Sequence, residues 1–416
     1  MRRQLCCAAA ATAASTPIKR LSLSMRGWII SPACTFSTSA ISPRVLGLAE
    51  GVLKGDRLSL SRAITLIESS KESHRQEAEA LLDHVVRERS RKVKTYRRPN
   101  SNTAMASSSD SRSSSSSSGS TSGSLRKGTR PLRIGIAGPP GAGKSTFIES
   151  LGMYLLDSKG LRVAVIAVDP SSSRSGGSIL GDKTRMYELS KDPRAFVRAC
   201  PTSGVLGGVA RYTNDVVLLC QAAAFDVVFI ETVGLGQSEI MIDQTSDMLL
   251  LLVPPGGGDE LQGVKKGIME VADVVVVNKA DGHLLTAAQH TAAEYKHALC
   301  FQRRKWEPWT PTVTMCSALR REKIAKVWEE VSRCSDVLDK TGFLRLKRRD
   351  QGRHWMWSSL EDLLVRKVRG SGAVERKAVR MEEELADGTL TPRSAAEMLL
   401  VAFLEEQRTT EVARKK

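Results

Sequence analysis

Between residues 133 and 318 the chain alternates short, unbroken apolar runs with longer stretches of helical periodicity. The runs are RIGIAG (133–138), VAVIAVD (163–169), AFVRAC (195–200), DVVFIET (226–232), MLLLLV (248–253), DVVVVNK (273–279) and TVTMCSA (312–318). Runs this short, apolar at consecutive rather than alternate positions, fit parallel strands covered by helices on both faces. The pattern predicts an α/β fold, a doubly wound and mostly parallel sheet of about seven strands.

The flanks read differently. In SHRQEAEALLDHVVRERSRK, Ala78, Leu81, Leu82, Val85 and Val86 fall at i, i+3, i+4, i+7 and i+8, with Ser73 and Gln76 spaced as a capping box. This predicts a helical extension over residues 45–99 that ends in a basic, solvated helix terminus, Arg87–Arg98. Residues 101–124 hold 14 serines and no aliphatic side chain beyond alanine and Met105. Such a stretch has too little to bury, so 100–125 is expected to be a disordered linker, with the α/β domain over 126–335. Beyond residue 320 the periodicity is helical again, through HWMWSSLEDLLVRKV to LTPRSAAEMLLVAFLEEQ, where Thr391 fits an N-cap and Pro392 the first helical position. Helices outside the sheet need a partner surface, and 336–416 is read as an arm that packs on a second subunit to give a homodimer.

Charge changes the picture only at the N-terminus. The net charge is +17, yet residues 1–49 carry six Arg or Lys and no Asp or Glu. The segment 1–44, rich in Arg, Ser and Ala, reads as a transit peptide addressed to the mitochondrial matrix. A secretory signal would need an uninterrupted apolar core before an Ala-x-Ala site. The basic excess thus has its own explanation and does not point to nucleic acid, and no apolar run is long enough for a membrane span. Removal of the leader takes Cys6, Cys7 and Cys34; Cys200, Cys220, Cys300, Cys316 and Cys334 form no C-x-x-C pair and read as thiols in a reducing compartment.

Candidate chemistry begins directly after the first strand. GPPGAGKST comprises Gly138, Pro139, Pro140, Gly141, Ala142, Gly143, Lys144, Ser145 and Thr146, a phosphate-binding loop in the strand-to-helix context it requires. Its glycines let successive N–H groups and the helix N-terminus surround phosphates, Lys144 reaches the β- and γ-phosphates, and the Ser145 hydroxyl suits Mg²⁺. The loop alone does not separate ATP from GTP. NKAD, at the end of the sixth run, resembles the guanine element of GTPases: Asn278, Lys279 and Asp281, whose carboxylate accepts from the guanine ring N–H and amine. Adenine lacks that donor pair and would leave the carboxylate unsatisfied at a cost of about 1–3 kcal/mol. Ser317, Ala318 and Leu319, at the end of the next run, match the element whose backbone supports the base. In ETVGLGQSE, Glu231 and Gly234 stand where most GTPases have D-x-x-G, the carboxylate near Mg²⁺ and the glycine N–H at the γ-phosphate. Finally, AVDPSSSRSGGSILGDKTRM sets Asp169 and Asp182 at the two ends of a serine- and glycine-rich stretch. Beside a phosphate loop this reads as a switch segment.

GPPGAGKST, VDPSSSRSGGSILGDKTRM, ETVGLGQSE, GGGDELQGVKKGI and NKAD, in this order and spacing, resemble the GTPase family of methylmalonyl-CoA mutase-associated proteins. The similarity covers roughly residues 126–405, EPWTP, KRR and WMW included, and more loosely 45–92. It implies a homodimeric, mitochondrial GTPase that binds GTP, GDP and Mg²⁺. Such a protein docks on adenosylcobalamin-dependent methylmalonyl-CoA mutase, gates cofactor delivery from cobalamin adenosyltransferase and helps expel damaged cofactor. By matching position, Ser145, Asp169, Asp182 and Glu231 surround Mg²⁺, Lys144, Asp169, Asp182 and Glu231 serve catalysis, and residues 256–266 form a switch that communicates with the mutase. Two departures stand out: the serine linker is an insertion, and the glycine the family tends to show after SAL is missing from SALRREKI.

Other clusters have plainer readings. His283, His290 and His297 recur every seven residues, too far apart to share one ion, and read as an ordinary helix face. Trp306, Trp309, Trp355 and Trp357 read as buried in the helical arm or its interface. The basic stretch 341–380 reads as a solvated helix face, with a docking face for an acidic partner as the alternative. Arg174, Arg185, Lys265 and Lys266 are candidates to stabilise a transferring phosphoryl group. Two rival functions remain: a kinase or ATPase linked to basic amino-acid transport, and a scaffold that works by nucleotide occupancy alone.

Overall fold

The computed structural model describes residues 41–69, 71–96, 131–169, 186–201, 206–232, 242–256, 266–301, 305 and 307–414. All seven apolar runs are strands: β1 (Leu132–Ala137), β2 (Val163–Asp169), β3 (Ala195–Pro201), β4 (Val227–Thr232), β5 (Met248–Val253), β6 (Val274–Val277) and β7 (Thr312–Met315). They form one parallel sheet in the order β3-β2-β4-β1-β5-β6-β7. Every residue of β1, β5 and β6 is buried, as two-sided helical cover demands. From β1 the chain builds outward to one side through β2 and β3, returns to β4, then builds to the other through β5, β6 and β7. The reversal puts the carboxyl end of β1 where ligands of open α/β sheets sit.

Three helices precede the sheet: α1 (Pro43–Leu53), α2 (Arg57–Glu68) and α3 (Glu72–Tyr96). Asp56 caps α2, its carboxylate accepting from the Leu58 and Ser59 amides. The predicted apolar face of α3 buries Ala78, Leu81 and Val85 while Val86 is exposed. Ser73 lies inside α3 rather than at its cap, because the helix starts one residue earlier, at Glu72. Long polar side chains dock these helices on the sheet domain. Arg57 donates to the carbonyls of Asp192 and Ser190, Arg162 to that of Gly55, and Arg198 of β3 to that of Ser61.

Between strands lie α4 (Lys144–Ser158), α5 (Tyr187–Lys191), α6 (Leu206–Ala222), α7 (Lys266–Val271) and α8 (Leu285–Cys300). After β7, α9 (Ile324–Lys340) runs through the expected boundary at 335 and lays Ile324, Val327, Trp328, Val331, Cys334 and Leu338 into the main core. Then follow α10 (Phe343–Arg369), α11 (Gly372–Ala386) and α12 (Pro392–Arg414). Thr391 caps α12 as expected, its hydroxyl accepting from the Ser394 amide at 3.3 Å. Among the described residues no helix is long and apolar enough to cross a membrane.

Most basic side chains of 341–380 are exposed, with two exceptions. Lys347 and Arg348 do not face solvent; both are drawn into ion pairs with Asp243 and Asp247 beneath the sheet. Of the tryptophans, Trp309 is buried in the sheet domain's core rather than the arm, Trp355 is buried, Trp357 is half exposed, and Trp306 lies outside the described residues.

Candidate nucleotide site

The phosphate loop owes its shape to glycine. Gly138, with φ +153°, ends β1 where an added Cβ would lie 2.2 Å from the Leu252 carbonyl oxygen. Gly143, with φ +84°, is the left-handed residue from which α4 springs, and a Cβ there would lie 2.6 Å from Asn278 Nδ2. No L side chain fits either place without displacing its neighbour. α4 therefore starts at Lys144 with its first amides facing the loop, the arrangement that receives phosphates. The Lys144 ammonium, largely buried, crosses the loop to donate to the carbonyls of Gly138 (2.8 Å) and Pro139 (3.2 Å).

Glu231 stands in β4 level with Ile136 of β1 and Ala167 of β2, near the carboxyl ends of both strands. Its Oε1 accepts from Ser145 Oγ at 2.9 Å. A hydroxyl and a carboxylate at the mouth of a phosphate loop form an oxygen donor set that suits Mg²⁺, an ion that keeps several waters and takes few protein ligands. Asp182 and Gly234 lie outside the described residues, as do Arg174, Arg185 and Lys265; of Asp169 and Lys266 only the backbone is described.

The guanine element closes the other side. Asn278, buried, donates from Nδ2 to the Ala142 carbonyl (2.9 Å) and accepts at Oδ1 from the Ala318 amide (3.0 Å). One carboxamide thus joins the phosphate loop to the SAL loop. Lys279, left-handed at φ 57°, carries its stem past Gly143. The Asp281 carboxylate accepts from the Ser317 hydroxyl and lies 3.9 Å from the Arg320 guanidinium. In the loop after SAL, which has no glycine, Arg321 and Lys323 occupy left-handed conformations at φ 57° and 60°. Such residues cost about 1–3 kcal/mol each. The loop is held in compensation by paired Ser317–Glu322 backbone bonds and by Ser150 Oγ donating to the Ala318 carbonyl at 2.6 Å. Leu319 projects into solvent, 81% exposed.

Thus Gly138–Thr146, Glu231, Asn278–Asp281 and Ser317–Leu319 converge at the carboxyl edge of β1, β4, β6 and β7. Ser150, Arg320 and Cys316 were not foreseen. The Cys316 thiol, pushed up to about 12 by burial, stays protonated and lies 3.7 Å from Asn278 Oδ1. His283, His290 and His297 are exposed, and no group of three or more His, Cys, Asp or Glu that would hold a metal is found among the described residues.

A profile of the family described as "Methylmalonyl Co-A mutase-associated GTPase MeaB" matches residues 105–373. The chain belongs to the MeaB family. A mouse relative named methylmalonic aciduria type A homolog, mitochondrial, is 41% identical over 86% of this chain and 79% of its own length. A probable GTPase of Mycobacterium bovis is 42% identical over 85% of this chain and 94% of its own. Among solved structures, one titled LAO/AO transport system kinase matches with a TM-score of 0.58 and 31% identity, over 86% of this chain and 97% of that one. As a MeaB-family member the chain is a P-loop GTP hydrolase with an α/β fold, in agreement with the loop and guanine element described above.

Proposed function

We propose that this GTPase is a mitochondrial matrix chaperone of adenosylcobalamin-dependent methylmalonyl-CoA mutase, a homodimer that gates loading of cofactor from cobalamin adenosyltransferase and protects or reactivates the mutase. The observation that carries the nucleotide half is the Asn278 clamp, which sets the guanine element and the phosphate loop at one fixed separation. The mutase half rests on the family description, which names a mutase-associated GTPase. The acid-free leader 1–44 and the mitochondrial label of the mouse relative support the location. Trp357, Leu360, Leu363, Leu364, Val401 and Leu404, exposed on α10 and α12, support an arm at 336–416 that pairs with a second copy.

In this reading the amides of Gly138–Thr146 hold the phosphates and the Lys144 ammonium neutralises charge on the β- and γ-oxygens. Ser145 and Glu231, with Asp169 and Asp182, would hold Mg²⁺, which would supply further charge neutralisation. The Gly234 amide meets the γ-phosphate, Asp281 reads the guanine edge, and Asn278, Lys279 and Ser317–Leu319 frame the base. Residues 45–99 act as a scaffold on the sheet and 100–125 as a linker.

The test is reconstitution with purified mutase. A complex whose stability differs between GDP and a non-hydrolysable GTP analogue, with GTP turnover accelerated by the mutase, is expected. Failure to associate in either nucleotide state would sink the chaperone reading. The rival suggested by the transport-kinase title is tested by competition: ATP displacing bound GDP as well as GTP does would favour that rival.

A further inference from the structure

The buried side chains of α10 are Lys347, Gln351 and Trp355, four residues apart along one face. All three close on one short segment. Lys347 Nζ donates to Asp243 Oδ1 (2.7 Å) and to the Asp247 carbonyl (3.1 Å). Gln351 Nε2 donates to the carbonyls of Asp243 (3.0 Å) and Ser246 (2.7 Å), and Trp355 Nε1 to that of Gln244 (3.1 Å). Four of the five carbonyls from 243 to 247 are thereby held by one helix.

The place of this segment in the chain gives the grip its meaning. It follows ETVGLGQSE (231–239) within a few residues, and it ends at Asp247, where β5 begins. β5 in turn leads to GGGDELQGVKK (256–266). The same face reaches a third route to the nucleotide: Gln351 Oε1 accepts from Arg133 at 2.7 Å, and both Arg133 and Arg348 bond Asp247. Arg133 opens β1, whose far end is the phosphate loop. Apolar side chains would seat a helix without burying an ammonium and a carboxamide, groups that are costly to take out of water unless their bonds are well made. Directional bonds to successive carbonyls do what apolar packing does not: they fix the register of 243–247 against α10.

We infer that Lys347, Gln351 and Trp355 are positioning residues for GTP hydrolysis, locking residues 243–247 to α10 so that the nucleotide state and the placement of the C-terminal arm are coupled. The inference rests on reading ETVGLGQSE as the segment that meets the γ-phosphate. Movement of that segment between GTP and GDP must then be carried into α10. By linkage, whatever restrains α10 must change the preference between the two nucleotides.

The experiment uses the full-length protein with two mild variants. Trp355→Phe removes one donor and keeps an aromatic ring, though a smaller one, and Lys347→Met keeps the aliphatic stem while Asp243 retains Lys305. GTP kcat and KM, GDP affinity, and hydrogen–deuterium exchange over 343–357 with GDP and a non-hydrolysable GTP analogue are measured. The unaltered protein is expected to show nucleotide-dependent exchange in α10. Both variants are expected to lose that difference and to lower kcat about fivefold, with KM and GDP affinity within about twofold. If Lys347→Met does not fold, Trp355→Phe decides alone. Identical α10 exchange in the two nucleotides, or kcat kept within about twofold while only the melting temperature falls, would make the three residues a structural bolt and overturn the inference. Failure of the underlying motif reading has its own signature, Gly234→Ala turning over GTP at the unaltered rate, and would overturn the inference with it.

Discussion

The carboxamide of Asn278 uses both of its ends, one on the phosphate loop through the Ala142 carbonyl and one on the SAL loop through the Ala318 amide. Asn278→Ala leaves both partners buried without their bond, which costs about 1–3 kcal/mol of stability. Nucleotide affinity is expected to fall at least tenfold because the two halves of the site lose their common strut; titration with a fluorescent GDP analogue measures it. Asp281 makes a sharper prediction. Its carboxylate, exposed on one side and bonded to Ser317, offers two acceptors to guanine, whereas Asn at that position offers one donor and one acceptor. Asp281→Asn should therefore weaken GTP and favour xanthosine triphosphate, whose ring carries an oxygen in place of the amine. Unchanged preference would remove Asp281 from base recognition. At this scale the sequence was informative wherever backbone geometry demands a residue type, as at Gly138 and Gly143. It was silent on Ser150 and Cys316, whose roles come from loops that meet only in the folded chain, and on Arg321 and Lys323, which hold left-handed positions without being glycine.

At the scale of elements, the seven strands were legible because burial on both faces keeps most of their positions apolar, whereas the helical docking was not. β3 receives α2 through Arg198, which bonds the Ser61 carbonyl and hydroxyl, Thr65 and Glu68. Within AFVRAC that arginine reads only as an interruption. Its partners lie some 130 residues earlier, a separation no local period reveals. Arg198→Met keeps the stem but leaves Glu68 without its cation beside Cys200, a thiol that burial and the Glu68 charge already hold well above its usual range. A loss of about 1–3 kcal/mol is expected, read as a lower urea midpoint with unchanged slope. GTP turnover should persist, because among the described residues none of the nucleotide site bonds to this contact. The same logic applies to Lys347 and Arg348, the two cations of the otherwise mostly exposed stretch 341–380 that are drawn inward. Buried acids at the starts of β5 and β6, Asp247 and Asp273, were the available signal, since a carboxylate leading an apolar run calls for a cation from elsewhere.

Those acids, with Asp243, join β1, the starts of β5 and β6, and α10 at the edge of the sheet opposite the nucleotide. Asp247 accepts from Arg133 of β1 and Arg348 of α10, while Lys305 bonds Asp243 and Asp273. Burial by itself would raise the Asp247 carboxyl, but the Arg133 and Arg348 charges prevail and hold it far below the usual carboxylate range. Asp243 is likewise lowered, burial being outweighed by Lys347 and Lys305. A carboxyl whose folded value lies below its unfolded one contributes stability that is fully present above the unfolded value and drains away as pH falls through the folded one. For Asp247 and Asp243 the unfolded value is near 3.8. Their contribution is therefore intact at neutral and mildly acidic pH, and the denaturation midpoint should fall steeply only below about pH 4. Asp247→Asn separates this network from the chain's other carboxylates. With one neutral partner left between two buried guanidiniums, it should cost about 3–5 kcal/mol at neutral pH. It should also flatten the acid limb of the profile, since the group whose protonation drives that limb is gone. Guanidinium chloride midpoints from pH 3 to 7 for the two proteins measure both effects. Parallel profiles would show that acid sensitivity arises outside the junction of β1, β5 and α10, leaving Asp247 a neutral-pH brace only.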